Sequence, residues 1–297
     1  MTSNRIIDIS ENPVRLSVRY GQLVIESEDK KQATAPLAEI AAVVVSNPRV
    51  SYTHTVLTGL AQNGAALVAC DEKHMPAIMG LPVTGNYIQS ERFSVQAQAP
   101  APLKKRAWQQ VVTAKISAQS RALYELYEND RGLSQLARKV RSGDTANMEA
   151  RASKRYWPAV FEDPAFRRDR LREDQNRNLN YGYAVLRAIV ARAVCAAGLH
   201  PSLGIHHHNR YNAFCLADDL MEPYRPLVDK AVAGWVKDNG PQAEFDKHAK
   251  QALLAPLTRK YMMDGEERSL FDAASKMAGS LAKMFEGKTK ELVIPEV

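Results

Sequence analysis

The side chains best suited to chemistry lie in one stretch of the sequence, residues 204–223. Three consecutive histidines, His206–His208, come first, and carboxylates follow about three helical turns later. In a helix that begins near Phe214, Asp219 and Glu222 would share one face, because side chains three or four positions apart are neighbours on a helix. Histidines beside two carboxylates predict a metal site. The alternative is a solvated acidic helix next to a polar loop.

Composition and net charge indicate which class of molecule the protein binds. The chain has 297 residues, of which 45% are hydrophobic and 25% are charged, as in ordinary globular proteins. Its formal charge of +7 and its isoelectric point near 9.2 indicate affinity for polyanions, most simply nucleic acid. Charge alone, however, also suits an ordinary basic protein.

Cysteine usage and hydropathy indicate where the protein works. Cys70, Cys195 and Cys215 are widely spaced and form no CxxC pair, which argues against a disulfide framework or a zinc ribbon. No apolar run reaches the length of a membrane span, and no apolar signal-peptide core follows the N-terminus. The sequence therefore predicts a reducing, cytoplasmic location and no membrane partner.

The segment 1–95 has the patterns of a β-rich domain. Val14–Val18 alternates apolar and polar residues, which is the period of a half-buried strand. Gly21 before the apolar run Leu23–Ile25 predicts a hairpin. Ala42–Val45 is a continuous apolar run and predicts a fully buried strand.

The periodicity changes after a short linker. The segment 96–103 holds small residues, glutamines and prolines, which predicts a linker. From residue 104 the apolar residues follow helical spacing, beginning with a stripe from Trp108 to Leu126, and no strong strand pattern returns. The predicted fold class is α+β with two domains, a small β-rich N-terminal domain followed by a larger all-α domain over residues 104–297.

A predicted helix around Glu149 carries a carboxylate that stands apart. Asp144 can cap this helix, since Asp is a good N-cap residue. Glu149 is the only carboxylate between Asp144 and Glu162, and basic residues surround it. Taken by itself, this helix is most simply interpreted as carrying a surface glutamate that makes helical ion pairs.

Basic and aromatic side chains cluster on this helix and on the segment 161–178 that follows it. The segment is rich in arginine with acids interleaved, so it suits either a solvated loop or a phosphate-binding surface with stacking residues. The candidates for DNA contact are Arg151, Lys154, Arg155, Tyr156, Trp157, Arg167, Arg168 and Arg170.

Five pieces of sequence, taken in order, resemble one known family. They are the Glu149 helix ending in Tyr156-Trp157, Leu179–Tyr183, Ala196–Pro201, Gly204–His207 and Asp219–Pro226. Residues 63–72 also resemble the N-terminal domain of that family. Each motif is weak by itself, but the ordered set covers nearly the whole chain. The sequence resembles the CRISPR-associated adaptation integrases, the Cas-one family, and its short glycine turn and compactness resemble the type II branch.

This resemblance implies both a fold and a reaction. The family has a β-rich N-terminal domain, which serves dimerisation and partner contacts, and an α-helical catalytic domain. Its members are metal-dependent DNA endonucleases and integrases of CRISPR adaptation, a part of antiviral defence. They join the 3′-OH ends of captured foreign DNA into the CRISPR repeat array by transesterification, so no covalent protein intermediate is needed.

The resemblance also assigns residues. The family pattern of catalytic residues falls on Glu149, His207, Asp219 and Glu222. Glu149, His207 and Glu222 would bind Mg²⁺ or Mn²⁺, and Asp219 would orient water or the histidine. The family histidine is the fourth residue of a Gly-x-x-His turn, which selects His207, but the two adjacent histidines stay open as alternatives. Mixed carboxylate and imidazole ligation suits these cations better than a closed structural zinc site.

Partners are implied by the same resemblance. They are double-stranded DNA as protospacer and as CRISPR repeat, a second copy of the chain in a homodimer, and a small Cas-two dimer that bridges two such dimers. In the type II branch the effector nuclease is a further candidate partner.

Two other functions are compatible with parts of the sequence. A histidine nuclease with Tyr211 as nucleophile and His206 or His208 on the metal would leave a covalent DNA adduct. Its usual paired histidines flank a hydrophobic residue, which this sequence lacks. A non-enzymatic DNA-binding scaffold would bind DNA normally after substitution of Glu149 or Glu222 and would have no metal-dependent activity to lose.

Overall fold

A computed structural model of the chain describes residues 5–71, 76–82, 85–172, 174–263 and 265–296. The strands in these ranges are Arg5–Ile9 (β1), Val14–Arg19 (β2), Gln22–Ser27 (β3), Gln32–Pro36 (β4), Ile40–Val45 (β5), Ser51–Tyr52 (β6), Ala66–Cys70 (β7), Pro76–Gly80 (β8), Lys260–Met263 (β9) and Glu266–Ser269 (β10). The helices are His54–Gln62 (α1), Gln89–Gln98 (α2), Ala101–Tyr127 (α3), Leu133–Ala137 (α4), Met148–Val160 (α5), Gln175–Ala196 (α6), Cys215–Met221 (α7), Arg225–Asn239 (α8), Lys247–Leu254 (α9) and Leu270–Phe285 (α10).

Two four-stranded sheets form the N-terminal region. The first has the order β1-β5-β7-β8, in which β1, β5 and β7 are parallel and β8 is antiparallel to β7. The second has the order β4-β3-β2-β6. Its β2–β3 turn holds Tyr20 and Gly21 at φ values of 51° and 72°, as tight hairpins of primed turn type require. The predicted β-rich N-terminal region and its hairpin are confirmed.

Strand β5 has one face in each of two hydrophobic cores. All six of its residues are buried, in agreement with its uninterrupted apolar sequence. Ala42 and Val44 pack in the large core formed by the helices, whereas Val43 and Val45 pack in a smaller core with β2, β3 and α1. Because side chains alternate along a strand, β5 joins the two regions of the chain.

The region after residue 104 is mostly helical, as predicted, but it is not all-α. Strands β9 and β10 pair antiparallel, and Met262 also bridges to Glu296 near the C-terminus. The sequence Asp264-Gly265 between the strands is a strong hairpin signal, and Gly265 has a φ of 76°. The helical periodicity of the neighbouring segments hid this short hairpin.

The predicted linker, residues 96–103, is largely helical. Residues 96–98 end α2 and residues 101–103 begin α3, so only Ala99 and Pro100 lie between the two helices. The side chain of Gln96 bonds to the backbone of His200 and Leu203, which holds α2 against the helical region. The domain boundary itself stays a prediction. None of the helices in the described ranges is long and apolar enough to cross a bilayer.

A buried carboxyl group ties three helices together. Tyr156 on α5 is fully buried, and its hydroxyl donates a hydrogen bond of 3.0 Å to Oδ2 of Asp229 on α8. The hydroxyl of Tyr183 on α6 donates to Oδ1 of the same carboxyl. The prediction that Tyr156 contacts DNA is therefore wrong, because its aromatic ring is enclosed in the core and its hydroxyl is used internally. The aromatic-plus-arginine pattern did not reveal that this ring faces inward.

This carboxyl group should make stability depend on pH. Burial raises the pKa of Asp229 to about 6, although the two tyrosine hydroxyls and Arg225 act in the opposite direction. Because the pKa is higher in the folded state, the folded protein retains a proton that the unfolded chain has released. The free energy of unfolding should therefore fall as pH rises from about 4 to about 6, by about 3 kcal/mol from this group.

Urea unfolding at several pH values would measure this contribution as the difference between wild type and Asp229→Asn, in which the side chain cannot ionise. Asp238→Asn, an exposed position near the end of the same helix, is the matched control. The control should follow wild type. A constant difference between wild type and Asp229→Asn across this pH range would contradict the assignment.

Candidate active site

The turn at residues 204–207 is folded around the carboxylate of Asp219. This carboxylate is fully buried, and its Oδ2 accepts hydrogen bonds from the backbone N–H groups of Ile205 and His206 at 2.7 and 2.9 Å. Its Oδ1 accepts from the backbone N–H of His207 at 3.2 Å and lies 2.5 Å from Nδ1 of the same imidazole. Asp219 therefore fixes both the path of the turn and the orientation of the His207 ring.

Gly204 is what allows the turn to approach this carboxylate. A Cβ at this position would lie 2.4 Å from the carbonyl oxygen of His207 and 2.9 Å from Oδ2 of Asp219. Both distances are shorter than real Cβ contacts, so any larger residue would push the turn and the carboxylate apart.

The two histidines that follow have different surroundings. The ring of His206 stacks on Trp108 of α3 with a centroid distance of 4.1 Å, and burial together with His207 lowers its pKa. The hydrogen bond with Asp219 raises the pKa of His207, whose side chain is 46% exposed. Because Nδ1 of His207 is used by Asp219, Nε2 is the nitrogen available to a ligand. The structure thus favours His207 over His206 as the ligand.

The predicted ligands Glu149 and Glu222 meet at a single positive charge. The Nζ of Lys115 lies 2.6 Å from Oε1 of Glu149 and 2.6 Å from Oε2 of Glu222. The carboxylate of Asp144 accepts hydrogen bonds from the first two backbone N–H groups of α5, so it holds the first turn of this helix in place. The N-cap residue itself is Asn147, so the predicted cap, Asp144, acts from three residues before the cap position. Glu222 is placed by the turn of 3₁₀ helix that joins α7 to α8.

Both Lys115 and Glu222 are charged despite burial. Burial disfavours the Glu222 carboxylate, but Arg225, whose Nε lies 3.0 Å from Oε1, and Lys115 overcome this and hold its pKa below the usual range. Burial likewise disfavours the Lys115 ammonium, but Glu222 and Glu149 raise its pKa above the usual value. The site is therefore an internally compensated group of buried charges.

Sequence analysis missed Lys115. The signal was its place on α3, where Trp108, Val111 and Val112 form a fully buried apolar face and Lys115 follows at the next helical position of that face. A lysine on an apolar face is rarely buried unless it is paired. Its partners come from α5 and from the 3₁₀ turn before α8, far away in sequence.

These side chains have the chemistry of metal ligands, but they would have to rearrange to bind one ion. Among the described residues, no three His, Cys, Asp or Glu side chains are grouped closely enough to hold a metal ion. Two carboxylates nevertheless converge on one cation, and the buried Oε2 of Glu222 has no aligned hydrogen bond. Carboxylate oxygens of this kind, together with an imidazole, are donors that suit a divalent cation.

Asp218, next to Asp219 in the sequence, has a structural role. Its two oxygens lie 2.6 and 2.9 Å from the guanidinium of Arg187 on α6, and Asn212 donates to it at 2.7 Å. Asp218 therefore links α7 to α6 through Arg187, and its carboxylate is used there and not at Lys115.

The remaining candidates for DNA contact lie mostly on the surface. Exposed basic residues among them are Arg151, Lys154, Arg155, Arg167 and Arg170. Trp157 is half-buried and lines a cleft of about 550 Å³ with Phe166 and basic side chains. Arg168, at the edge of this cleft, is held by the side-chain oxygens of Asn176 and Asn180 at 3.0 and 2.6 Å.

A second cleft, of about 120 Å³, brings together arginines from three parts of the chain. The arginines that line it are Arg168, Arg170, Arg187 and Arg225. The last two were missed by sequence analysis because both lie outside the arginine-rich segment, residues 161–178. Since Arg225 also contacts Glu222, this positive cleft adjoins the candidate metal site.

Tyr211 lies apart from the buried charges. It is 82% exposed, and its hydroxyl accepts a hydrogen bond of 2.6 Å from the neighbouring Arg210. The geometry therefore favours the carboxylate and histidine site over a tyrosine nucleophile.

Replacement of Gly204 by alanine should open the turn. The clash with the His207 carbonyl should lower the free energy of unfolding by about 1–3 kcal/mol, as overpacking commonly does. Gly234→Ala on α8 is the control, because a Cβ there meets nothing within 4 Å; it should raise stability by about 0.5–1 kcal/mol. Guanidinium unfolding measures both changes, and equal effects of the two substitutions would contradict the argument.

Comparison with known proteins places the chain in a family. The family model described as "CRISPR associated protein Cas1" matches residues 7–267. The CRISPR-associated endonuclease Cas1 of Neisseria meningitidis is 36% identical over 97% of this chain and 94% of its own length. A casposase bound to integration product has the same fold, with a TM-score of 0.80 at 17% identity over 97% of this chain and 92% of that one. A Cas6-RT-Cas1–Cas2 complex contains a chain that matches all of this one over 37% of its length, with a TM-score of 0.74 and 17% identity. The matched residues and the 36% identity show that the chain belongs to the CRISPR-associated Cas1 family.

Proposed function

We propose that this Cas1-family protein is a metal-dependent DNA endonuclease and integrase of CRISPR adaptation. It joins the 3′-OH ends of captured foreign DNA into the CRISPR repeat array by transesterification. The observation that carries the proposal is the convergence of Glu149 and Glu222 on one cation position, beside a His207 that Asp219 holds in place. The endonuclease name of the Neisseria relative and the integration product in the casposase structure support it.

Each residue of the site has a distinct task in this reaction. Glu149, Glu222 and Nε2 of His207 would hold Mg²⁺ or Mn²⁺, and Asp219 keeps the imidazole in the orientation that presents Nε2. A divalent cation held by these residues would supply electrostatic stabilisation of the negative charge that develops on the phosphodiester. Arg225 fixes the Glu222 carboxylate from the opposite side. The attacking group is a DNA hydroxyl, so the protein forms no covalent intermediate.

The partners belong to the same proposal. The exposed basic residues on α5 and on residues 161–170 contact the phosphates of double-stranded DNA, both protospacer and repeat. A homodimer, with a Cas2 dimer bridging two of them, is the assembly; a Cas2-containing complex among the structural neighbours supports this choice. Assignment to the type II branch, with its effector nuclease as a further partner, rests on the sequence resemblance alone.

Substitution of His206 and His207 one at a time should show which of the two histidines binds the metal. His207→Ala should reduce metal-dependent joining by more than the about 10- to 100-fold typical of residues that only support ligands, because it removes Nε2. His206→Ala should retain most activity, since that ring packs on Trp108. The measurement is joining of a labelled DNA duplex into a repeat-containing plasmid, with Cas2 present and with Mn²⁺, Mg²⁺ or chelator.

Three outcomes would contradict parts of this proposal. Loss of joining only in His206→Ala would move the ligand by one residue. A denaturant-resistant DNA adduct that disappears in Tyr211→Phe would show the tyrosine nuclease instead. Normal DNA binding by wild type with no joining under any metal condition would show a scaffold.

The salt dependence of DNA binding should report the number of contacts between the protein and DNA phosphates. If about six to ten contacts form, affinity should fall roughly 10³–10⁵-fold between 50 and 200 mM salt. Arg170→Gln, at an exposed position, should weaken binding and reduce the slope of log affinity against log salt by about 0.9. Tyr156→Phe should leave the slope unchanged, because its hydroxyl bonds to Asp229 in the core. Fluorescence anisotropy of a labelled duplex measures both, and a slope near zero for wild type would contradict the electrostatic surface.

A further inference from the structure

We propose that Lys115 is a positioning residue of the metal site, an internal counter-ion that holds Glu149 and Glu222 together and must leave when a divalent cation binds. The inference rests on the proposed function, because it takes these two carboxylates as metal ligands. Its structural basis is the position of the Lys115 Nζ, which lies 2.6 Å from an oxygen of each carboxylate. An ammonium at this position and a metal ion bound to the same two oxygens exclude each other.

The local charge explains why the lysine is needed. The buried carboxylate of Glu222 and the partly exposed carboxylate of Glu149 would repel each other, and removal of one partner from a buried ion pair leaves an uncompensated charge. Lys115 and Arg225 bring two positive charges against the two negative charges of Glu149 and Glu222, so the group is neutral as a whole. A divalent cation added to this group would leave an excess of two positive charges.

The excess charge links metal binding to DNA. The side chain of Lys115 is 11% exposed. Its partner Glu149 lines a cleft of about 220 Å³ together with Trp108, Ser153 and His206. A lysine has a flexible stem, so its ammonium can leave the carboxylates without movement of α3. On the side of the site that Glu149 opens to this cleft, the phosphates of bound DNA would supply negative charge to the displaced ammonium.

Metal affinity should therefore depend on DNA. Without DNA the cation competes with Lys115, and affinity is low. With DNA the displaced ammonium is compensated, and affinity rises. Because coupling between two ligands is reciprocal, the metal should tighten DNA binding by the same factor. Competition from Lys115 thus keeps the metal from occupying the nuclease site when no DNA is bound.

Isothermal titration with Mn²⁺ tests this coupling in wild type and in Lys115→Met, which keeps the length of the side chain and removes the charge. The variant should bind Mn²⁺ more tightly than wild type in the absence of DNA, because no ammonium competes for the two carboxylates, and a coupling of ordinary size would make the difference about 5- to 150-fold. A non-cleavable duplex should raise the Mn²⁺ affinity of wild type by a larger factor than that of the variant. Lys250→Met is the matched control, because Lys250 is also buried but lies against Tyr181 and Phe245. The control should bind Mn²⁺ like wild type.

Thermal unfolding gives a readout that does not require activity. Metal-free Lys115→Met should melt below wild type, since its two carboxylates lose their counter-ion, and Mn²⁺ should raise its melting temperature more than that of wild type. Lys115→Arg should recover the metal-free melting temperature and the weaker Mn²⁺ binding, because it restores a positive charge.

A measurement on wild type covers the case in which Lys115→Met does not fold. Reductive methylation followed by mass spectrometry reports the accessibility of individual lysines. Lys115 should be protected in metal-free protein and become reactive with Mn²⁺, while Lys250 should be unaffected. Unchanged methylation of Lys115 with saturating Mn²⁺ would overturn the inference, as would equal Mn²⁺ affinities of wild type and a folded Lys115→Met.

Failure of the inference is distinguishable from failure of the proposed function. If wild type binds Mn²⁺ and joins DNA but Lys115 does not move, only the role of Lys115 is wrong. If wild type neither binds Mn²⁺ nor joins DNA, the metal-dependent integrase is wrong, and the role of Lys115 falls with it.

Discussion

The compensation of buried charge at one point constrains the arrangement of the helical region. Glu149 comes from the first turn of α5, Glu222 from the junction of α7 and α8, and Lys115 from the middle of α3. Neither Glu222 nor Lys115 could remain buried without its partners, because an unpaired charge in a protein interior is far costlier than a paired one. The three elements must therefore lie in contact, and the apolar packing around them allows this contact.

A second carboxylate, Asp219, works in the opposite manner. It is surrounded by backbone N–H donors of the 204–207 turn and by one imidazole of the same turn. Glu222, only three residues later, is satisfied by the charged side chains of Lys115 and Arg225. The same short segment thus holds one acid whose partners are mainly backbone groups and one whose partners are charged side chains.

Much of this arrangement could be predicted from sequence. Local patterns can be recognised without knowledge of the fold. Examples are the alternation of Val14–Val18, the apolar run of β5 and the spacing of the Asp219 and Glu222 carboxylates. Lys115 and Tyr156 could not be placed in this way. Whether a lysine on an apolar face finds carboxylates, or a tyrosine beside arginines faces inward, depends on segments more than thirty residues away. The β9–β10 hairpin was hidden for a different reason, since its strands are only four residues long and lie between segments of helical periodicity.

The shared strand β5 has a consequence for the unfolding of the molecule. One face of this strand belongs to the helical core and the other to the core of the N-terminal sheets. Separation of the two regions would bring Ala42 and Val44 into water together with the helical surface that covers them. The N-terminal sheets and the helices that carry the site are therefore thermodynamically coupled, and loss of structure in one lowers the cooperative stability of the other. A binding event on the sheets can in this way alter how rigidly the site is held.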